Sequence, residues 1–141
     1  MARADFYLID KPRFREEPLL LVCELARKAH DAGFPTLVLV RDMAQAEALD
    51  DLLWSFDPDA YLPHQIAGSD EDDALAPILL CAPEIDAPMR PLVINLRDAC
   101  VEGDFERVLE VVPADPEARV PLRERWKQYQ ARGLQLNKHD M

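Results

Sequence analysis

The sequence predicts a Rossmann-like α/β fold: a mostly parallel sheet of five strands or slightly more, with helices on both faces, in a single domain. Three observations predict it. Short apolar runs alternate with amphipathic segments through the first half of the chain. Several of these runs are apolar at nearly every position, as in strands buried on both faces rather than one. The length, 141 residues, suits one compact domain.

The elements follow in order. Phe6 to Ile9 (FYLI) is a first strand closed by Asp10-Lys11. Glu16-Glu17-Pro18 opens a helix, since acids and proline suit a first turn whose N–H groups lack partners. Leu21, Val22, Leu25, Ala26 and Ala29 form its apolar stripe, and Gly33 stops it. Thr36 to Val40 (TLVLV) is a second strand. Asp42 caps the next helix with Gln45 three residues on, a capping-box spacing, and Met43, Ala46, Leu49, Leu52 and Leu53 face inward until Trp54. Residues 55–75 read as irregular. Pro77 to Cys81, Pro91 to Leu96 and Val108 to Val112 complete five strands, the later ones joined by connections short enough to suggest a partly antiparallel sheet. The last helix starts near Pro116 or Pro121 and runs to Arg132, with Gly133 as its stop. Residues 1–133 are expected to form the domain, and 134–141 (LQLNKHDM) a loose tail.

Composition narrows the function. The net charge of −11 repels phosphate backbones, which opposes direct nucleic-acid binding. The charge is uneven: residues 117–138 hold six Lys/Arg (Arg119, Arg123, Arg125, Lys127, Arg132, Lys138) against Glu117 and Glu124. One basic patch on an acidic body suits a small acidic ligand or peptide. Three widely spaced cysteines, Cys23, Cys81 and Cys100, read as reduced thiols of a cytosolic protein. No apolar stretch is long enough to cross a bilayer, and the direct entry into FYLID is expected to exclude a signal peptide.

Catalytic and cofactor motifs are not found. The first strand–helix turn, residues 11–17, has no glycine to let a pyrophosphate approach, and neither GxGxxG nor GxxxxGK[ST] occurs. His30, His64 and His139 have no second ligand at metal spacing. The acids Asp70–Asp73 lack the alternation and glycine of a calcium loop and read as a solvated face. Two other clusters remain. Trp54, Phe56, Tyr61, Leu62, Pro63 and His64 gather around a proline-bounded loop; they are either interface anchors or a cap on the core beneath. Arg119, Arg123, Trp126, Lys127 and Gln130 share one face of the last helix, with Leu122 and Tyr129 turned to the sheet. That row is either a solvated cationic face or a site where an indole and its flanking cations take an apolar group together with a carboxylate.

These motifs together resemble the chi-subunit family of bacterial DNA polymerase III. FYLID carries the likeness near the start. Leu49-Asp50-x-x-Leu53-Trp54 and Tyr61-Leu62-Pro63-His64-x-x-Ala67-Gly68 continue it, followed by Val93-Ile94-Asn95-Leu96. Arg123-Glu124-Arg125-Trp126-Lys127-x-Tyr129, Gly133 and Leu136-Asn137 complete it. The likeness covers nearly the whole chain, in the family's order and spacing. It implies a Rossmann-like fold with no cofactor, no metal and no catalysis: an adaptor of the bacterial cytoplasm, in the nucleoid-associated replisome. It implies a psi subunit as 1:1 partner, the clamp loader reached through psi, and the acidic C-terminal tail of single-stranded-DNA-binding protein, which ends in Pro-Phe with a free carboxylate. It implies neither membrane attachment nor strong direct binding to nucleic acid. By position, Trp54 and Tyr61 match the psi-facing aromatics, with Phe56, Leu62, Pro63 and His64 as neighbours. Val112, Arg119, Arg123, Trp126 and Lys127 match the tail-binding side. Trp126 stands where a tyrosine is familiar, and Pro121 threatens to delay the helix and displace Arg119. The alternative is a direct single-stranded nucleic-acid-binding module that uses Trp126 and the basic helix for stacking.

Overall fold

A computed structural model describes residues 2–57, 59, 61–68 and 71–141, with Glu71 described by its backbone only. It contains β1 (Arg3–Leu8), α1 (Pro12–Glu16), α2 (Pro18–Asp31), β2 (Thr36–Leu39), α3 (Met43–Ser55), β3 (His64–Ile66), β4 (Ile78–Cys81), β5 (Leu92–Asn95), β6 (Arg107–Val112), α4 (Arg119–Ala131) and β7 (Gln135–Asp140). The seven strands lie in the order β3-β4-β2-β5-β6-β1-β7, and all six pairings are parallel. The Rossmann-like α/β expectation holds. The partly antiparallel one does not: the stretches 82–91 and 96–106 carry no helix, yet they are long enough to return the chain for a parallel entry.

Local chemistry accounts for the helix boundaries. A short α1 precedes the expected helix, and Pro18 separates the two, because its ring forces Glu17 out of helical geometry (φ −136°, ψ 82°). Asp42 caps α3 by accepting from Gln45 N at 2.7 Å. The return bond from Gln45 Oε1 goes to Arg41 N at 2.8 Å, one residue earlier than in the usual capping box. Gly33 and Gly133 follow the ends of α2 and α4 with φ of 80° and 83°, a conformation only glycine takes without strain.

Strand alternation sorts the apolar side chains into two layers. Tyr7, Val38, Leu80, Ile94 and Leu109 pack under α2 and α3. Phe6, Leu37, Leu79, Val93 and Val108 face the opposite way, toward α4 and the loops beside it. Helices therefore cover both faces, as expected.

Residues 134–141 are not a loose tail. β7 pairs with β1 along its whole length, from Arg3↔Gln135 to Leu8↔Asp140, and Met141 N donates to Leu8 O at 2.8 Å. The run QLNKHD shows no apolar stretch because an edge strand buries only one face, here through Leu136. Residues 55–75 are likewise more ordered than expected, with β3 and a 3₁₀ turn at Glu71–Leu75. Within the acidic run, Asp70 and the Glu71 side chain lie outside the described residues. Asp73 is not merely solvated: it accepts from Gly68 N at 3.1 Å and from the Gln65 amide.

Candidate functional site

The two faces of α4 do different work. On the inner face, Arg125 and Tyr129, one turn apart, are buried against the sheet. They meet Glu110, a carboxylate set in the apolar run of β6 and fully shielded from solvent. Glu110 accepts from Arg125 Nε at 2.9 Å, from the Tyr129 hydroxyl at 2.7 Å and from Asn95 Nδ2 at 2.7 Å. The Tyr129 oxygen in turn accepts from Val101 N at 3.0 Å. Burial pushes the Glu110 carboxyl above the usual carboxylate range, while the Arg125 charge and the three donors pull against it. Burial, reinforced by the Glu110 charge, also raises Tyr129, so the phenol stays a donor. This lock fixes the rotation of α4 about its axis. The sequence reading counted Arg125 among the surface cations; it is instead the buried counter-charge of Glu110.

With the inner face fixed, Arg119, Arg123, Trp126 and Lys127 turn outward together and line one cleft. Pro121 does not displace Arg119. It sits within the first turn of α4, where its missing N–H has no carbonyl to serve, and Arg119 is the first helical residue. A 3₁₀ turn at Pro116–Ala118, capped by Asp115 on Glu117 N at 3.0 Å, leads into the helix. The cleft floor comes from Phe6 and Leu8 of β1 and Leu122 of α4, and its far side from Lys138 of β7. The Trp126 ring tilts onto Phe6, with centroids 5.1 Å apart, so one indole face joins the floor. Val112 does not line the cleft: it is buried beside Leu8, with which it pairs in register, and supports the floor from within.

Sequence reasoning missed Phe6, Leu8, Leu122 and Lys138 as lining residues. A signal existed for two of them, since alternation along FYLID puts Phe6 and Leu8 on one face. The lining holds four cations and no carboxylate. Among the described residues, none of Arg119, Arg123, Lys127 and Lys138 has a carboxylate within 4.0 Å. The cleft thus offers an apolar slot rimmed by uncommitted positive charge.

The aromatic cluster lies elsewhere, at the end of α3 and the start of β3. Trp54 and Tyr61 are 56% and 75% exposed, with ring centroids 6.5 Å apart. The other four residues are less available. Leu62 is a core residue, and Phe56 packs partly against the same core. The His64 ring is buried beneath Trp54, 4.5 Å between centroids, with Nδ1 2.7 Å from Leu62 O. Its Nε2 lies 2.8 Å from Asp50 Oδ1 without hydrogen-bond geometry. Pro63 is half-buried. The cluster therefore divides: Leu62, Phe56 and His64 form the support, as in the core-cap reading, and Trp54 with Tyr61 forms an exposed aromatic pair. Exposed, closely spaced aromatic side chains have the chemistry that interface anchors use.

Among the described residues, no three His, Cys, Asp or Glu side chains group as metal ligands, and no helix is long and apolar enough to cross a membrane.

The family model for the DNA polymerase III chi subunit, HolC, matches residues 1–137. The DNA polymerase III subunit chi of Pseudomonas aeruginosa is 36% identical, with 99% of this chain and 96% of that protein aligned. The subunit chi of Escherichia coli K12 is 30% identical, with 97% of each covered, and that of Haemophilus influenzae 27% identical, with 83% of each. A match of this extent means that the chain belongs to the DNA polymerase III chi subunit family.

Proposed function

We propose that this chi-family chain is a non-catalytic adaptor. It bridges the psi subunit, and through psi the clamp loader, to the acidic C-terminal tail of single-stranded-DNA-binding protein. It works in the bacterial cytoplasm at the replisome, without a cofactor. The observation that carries this reading is the α4 cleft: four cations around an apolar floor, with no acid in the lining.

The tail's last residue, a phenylalanine, enters over Phe6, Leu8, Leu122 and Trp126. Its burial contributes ~1.5–3 kcal/mol. Arg123 grips the terminal carboxylate through two parallel N–H bonds, a geometry lysine cannot supply. Arg119 and Lys127 attract the upstream acids through solvent at ~0–1 kcal/mol each. With the ordering of a flexible tail subtracted, the affinity falls near micromolar, about −8 kcal/mol. The psi subunit docks on Trp54 and Tyr61, held in place by Phe56, Leu62, Pro63 and His64. Direct stacking on single-stranded nucleic acid is disfavoured. Trp126 spends one ring face on Phe6, and the chain carries a net charge of −11.

The test is a titration of each variant with both partners. Arg123→Ala weakens binding of a tail peptide about tenfold or more and leaves psi binding intact. Trp54→Ala does the reverse. Equal loss of both partners in either variant would defeat the two-site reading.

A further inference from the structure

We propose that Lys138, carried by β7, is a binding residue of the same cleft and holds the acidic stretch of the incoming peptide from the wall opposite α4. The proposal rests on the peptide-binding reading above and extends the binding surface to the C-terminal strand.

The geometry is set by strand register. Lys138 pairs with Phe6 across β1 and β7, and paired residues of neighbouring strands point to the same face. Phe6 lies under Trp126 at 5.1 Å, so Lys138 rises beside the floor and not from the rim of α4. The cleft is therefore walled on both sides, with Arg119, Arg123 and Lys127 on the helix and Lys138 on the strand. A charge on an edge strand has a simpler use, which is to block pairing with another chain. That use accepts either sign. A lysine facing a cleft that already holds three cations adds repulsion in the free protein, and an anionic ligand relieves it. Asp140, the next residue on the same face, is opposite Leu8 in register but does not line the cleft. A peptide lying along the floor thus meets cations on both flanks. The lysine ammonium is a point charge on a flexible stem, suited to side-chain carboxylates at varying positions, whereas the Arg123 fork suits the single terminal one.

The experiment uses the full chain and two peptides: an acidic decamer ending in Pro-Phe with a free carboxylate, and the same decamer with its aspartates changed to asparagine. Lys138→Ala is expected to weaken the acidic peptide about threefold and Lys138→Glu about tenfold at low salt, while neither changes affinity for the asparagine peptide. The thermal midpoint stays that of the parent, since the side chain is exposed and without a carboxylate partner among the described residues. If Lys138→Glu binds the acidic peptide like the parent while Arg123→Ala does not, the role of Lys138 falls and the cleft reading stands. Equal weakening of both peptides overturns the assignment to the acidic stretch. If the parent chain binds neither peptide, the cleft reading falls and takes this proposal with it.

Discussion

Replacing Arg125 with methionine keeps the length and apolar stem of the side chain and deletes its charge. Glu110, with 0% exposure, is then left with Asn95 and Tyr129 at 2.7 Å as its remaining donors. Removing one member of a buried ion pair costs ~3–5 kcal/mol, and the two surviving bonds put this case near the lower limit, about 3 kcal/mol. In a domain whose total stability is ~5–15 kcal/mol, that is a large share. It corresponds to a fall in Tm of roughly 6–12 °C at this chain length. The pH dependence follows from the direction of the shift. Burial already holds the folded-state carboxyl above its ordinary value, and loss of the guanidinium removes the principal opposing charge. The folded variant then keeps its proton over a range where the unfolded chain, near 4.3, has lost it. Stability of the variant is therefore fullest below the unfolded value and is lost as pH rises through the folded value. Urea unfolding followed by circular dichroism at about pH 5 and pH 8 should show a deficit that is large at the higher pH and shrinks at the lower. Pairing Arg125→Met with Glu110→Leu should recover most of it. A deficit below about 1 kcal/mol, or one equal at both pH values, would refute the assignment of Glu110 and Arg125 as a mutually dependent buried pair.

Asp5 titrates in the opposite sense. Burial raises its carboxyl, but the bonds from His139 and Arg107 and the charges of Arg107 and Arg3 outweigh it and hold the group below 3.8. Its contribution is present above that value and lost as pH falls through the folded-state one, so Asp5→Asn should cost ~1–3 kcal/mol at neutral pH, with the gap to the parent closing below pH 3.8 in urea titrations. Truncation after Gly133 removes β7 and bares the edge of β1. It should lower stability by on the order of 3 kcal/mol or more and promote self-association on size-exclusion chromatography, and a truncated chain with parental midpoint and size would return residues 134–141 to the status of a tail. Affinity for the acidic peptide should fall several-fold as sodium chloride rises from about 50 to about 300 mM, because the cationic rim is exposed; an affinity insensitive to salt would assign the binding to the apolar floor alone.

The residues that were legible in the sequence are those whose environment is set by near neighbours. The apolar runs of β2, β4, β5 and β6 declare burial on both faces within four to six residues. The i, i+4 row of α4 declares its outer face in the same way. What escaped depends on pairing at long range. β7 is an edge strand whose polar residues become a strand only because β1 lies alongside. Lys138 joins the cleft through that same pairing. Arg125 looks like one more cation in a basic helix until Glu110, fifteen residues earlier, is placed beneath it. The anomaly visible beforehand was Glu110 itself, since a carboxylate inside VLEVV requires a buried partner. Leu62 and His64 were grouped with Trp54 and Tyr61 by proximity in the chain, and proximity does not distinguish a support from the surface it supports.

The order of the sheet bears on how one small domain could serve two partners. Trp54 rests over His64 on β3, the strand at one edge, while the cleft is built on β1 and β7 at the other. With neighbouring strands ~4.8 Å apart, the two clusters are separated by roughly 25–30 Å across the sheet. They also lie on opposite faces, since α3 packs on one core layer and α4 on the other. A Debye length of about 8 Å at physiological salt removes direct electrostatic influence over that span. The strands between them are buried at almost every position, so a partner at one edge has no loose element through which to disturb the other. Rigidity is thus what the fold contributes: a parallel sheet, locked to α4 by one buried carboxylate, holds an aromatic pair and a cationic cleft at a fixed distance, the arrangement that the proposed simultaneous binding of two partners requires.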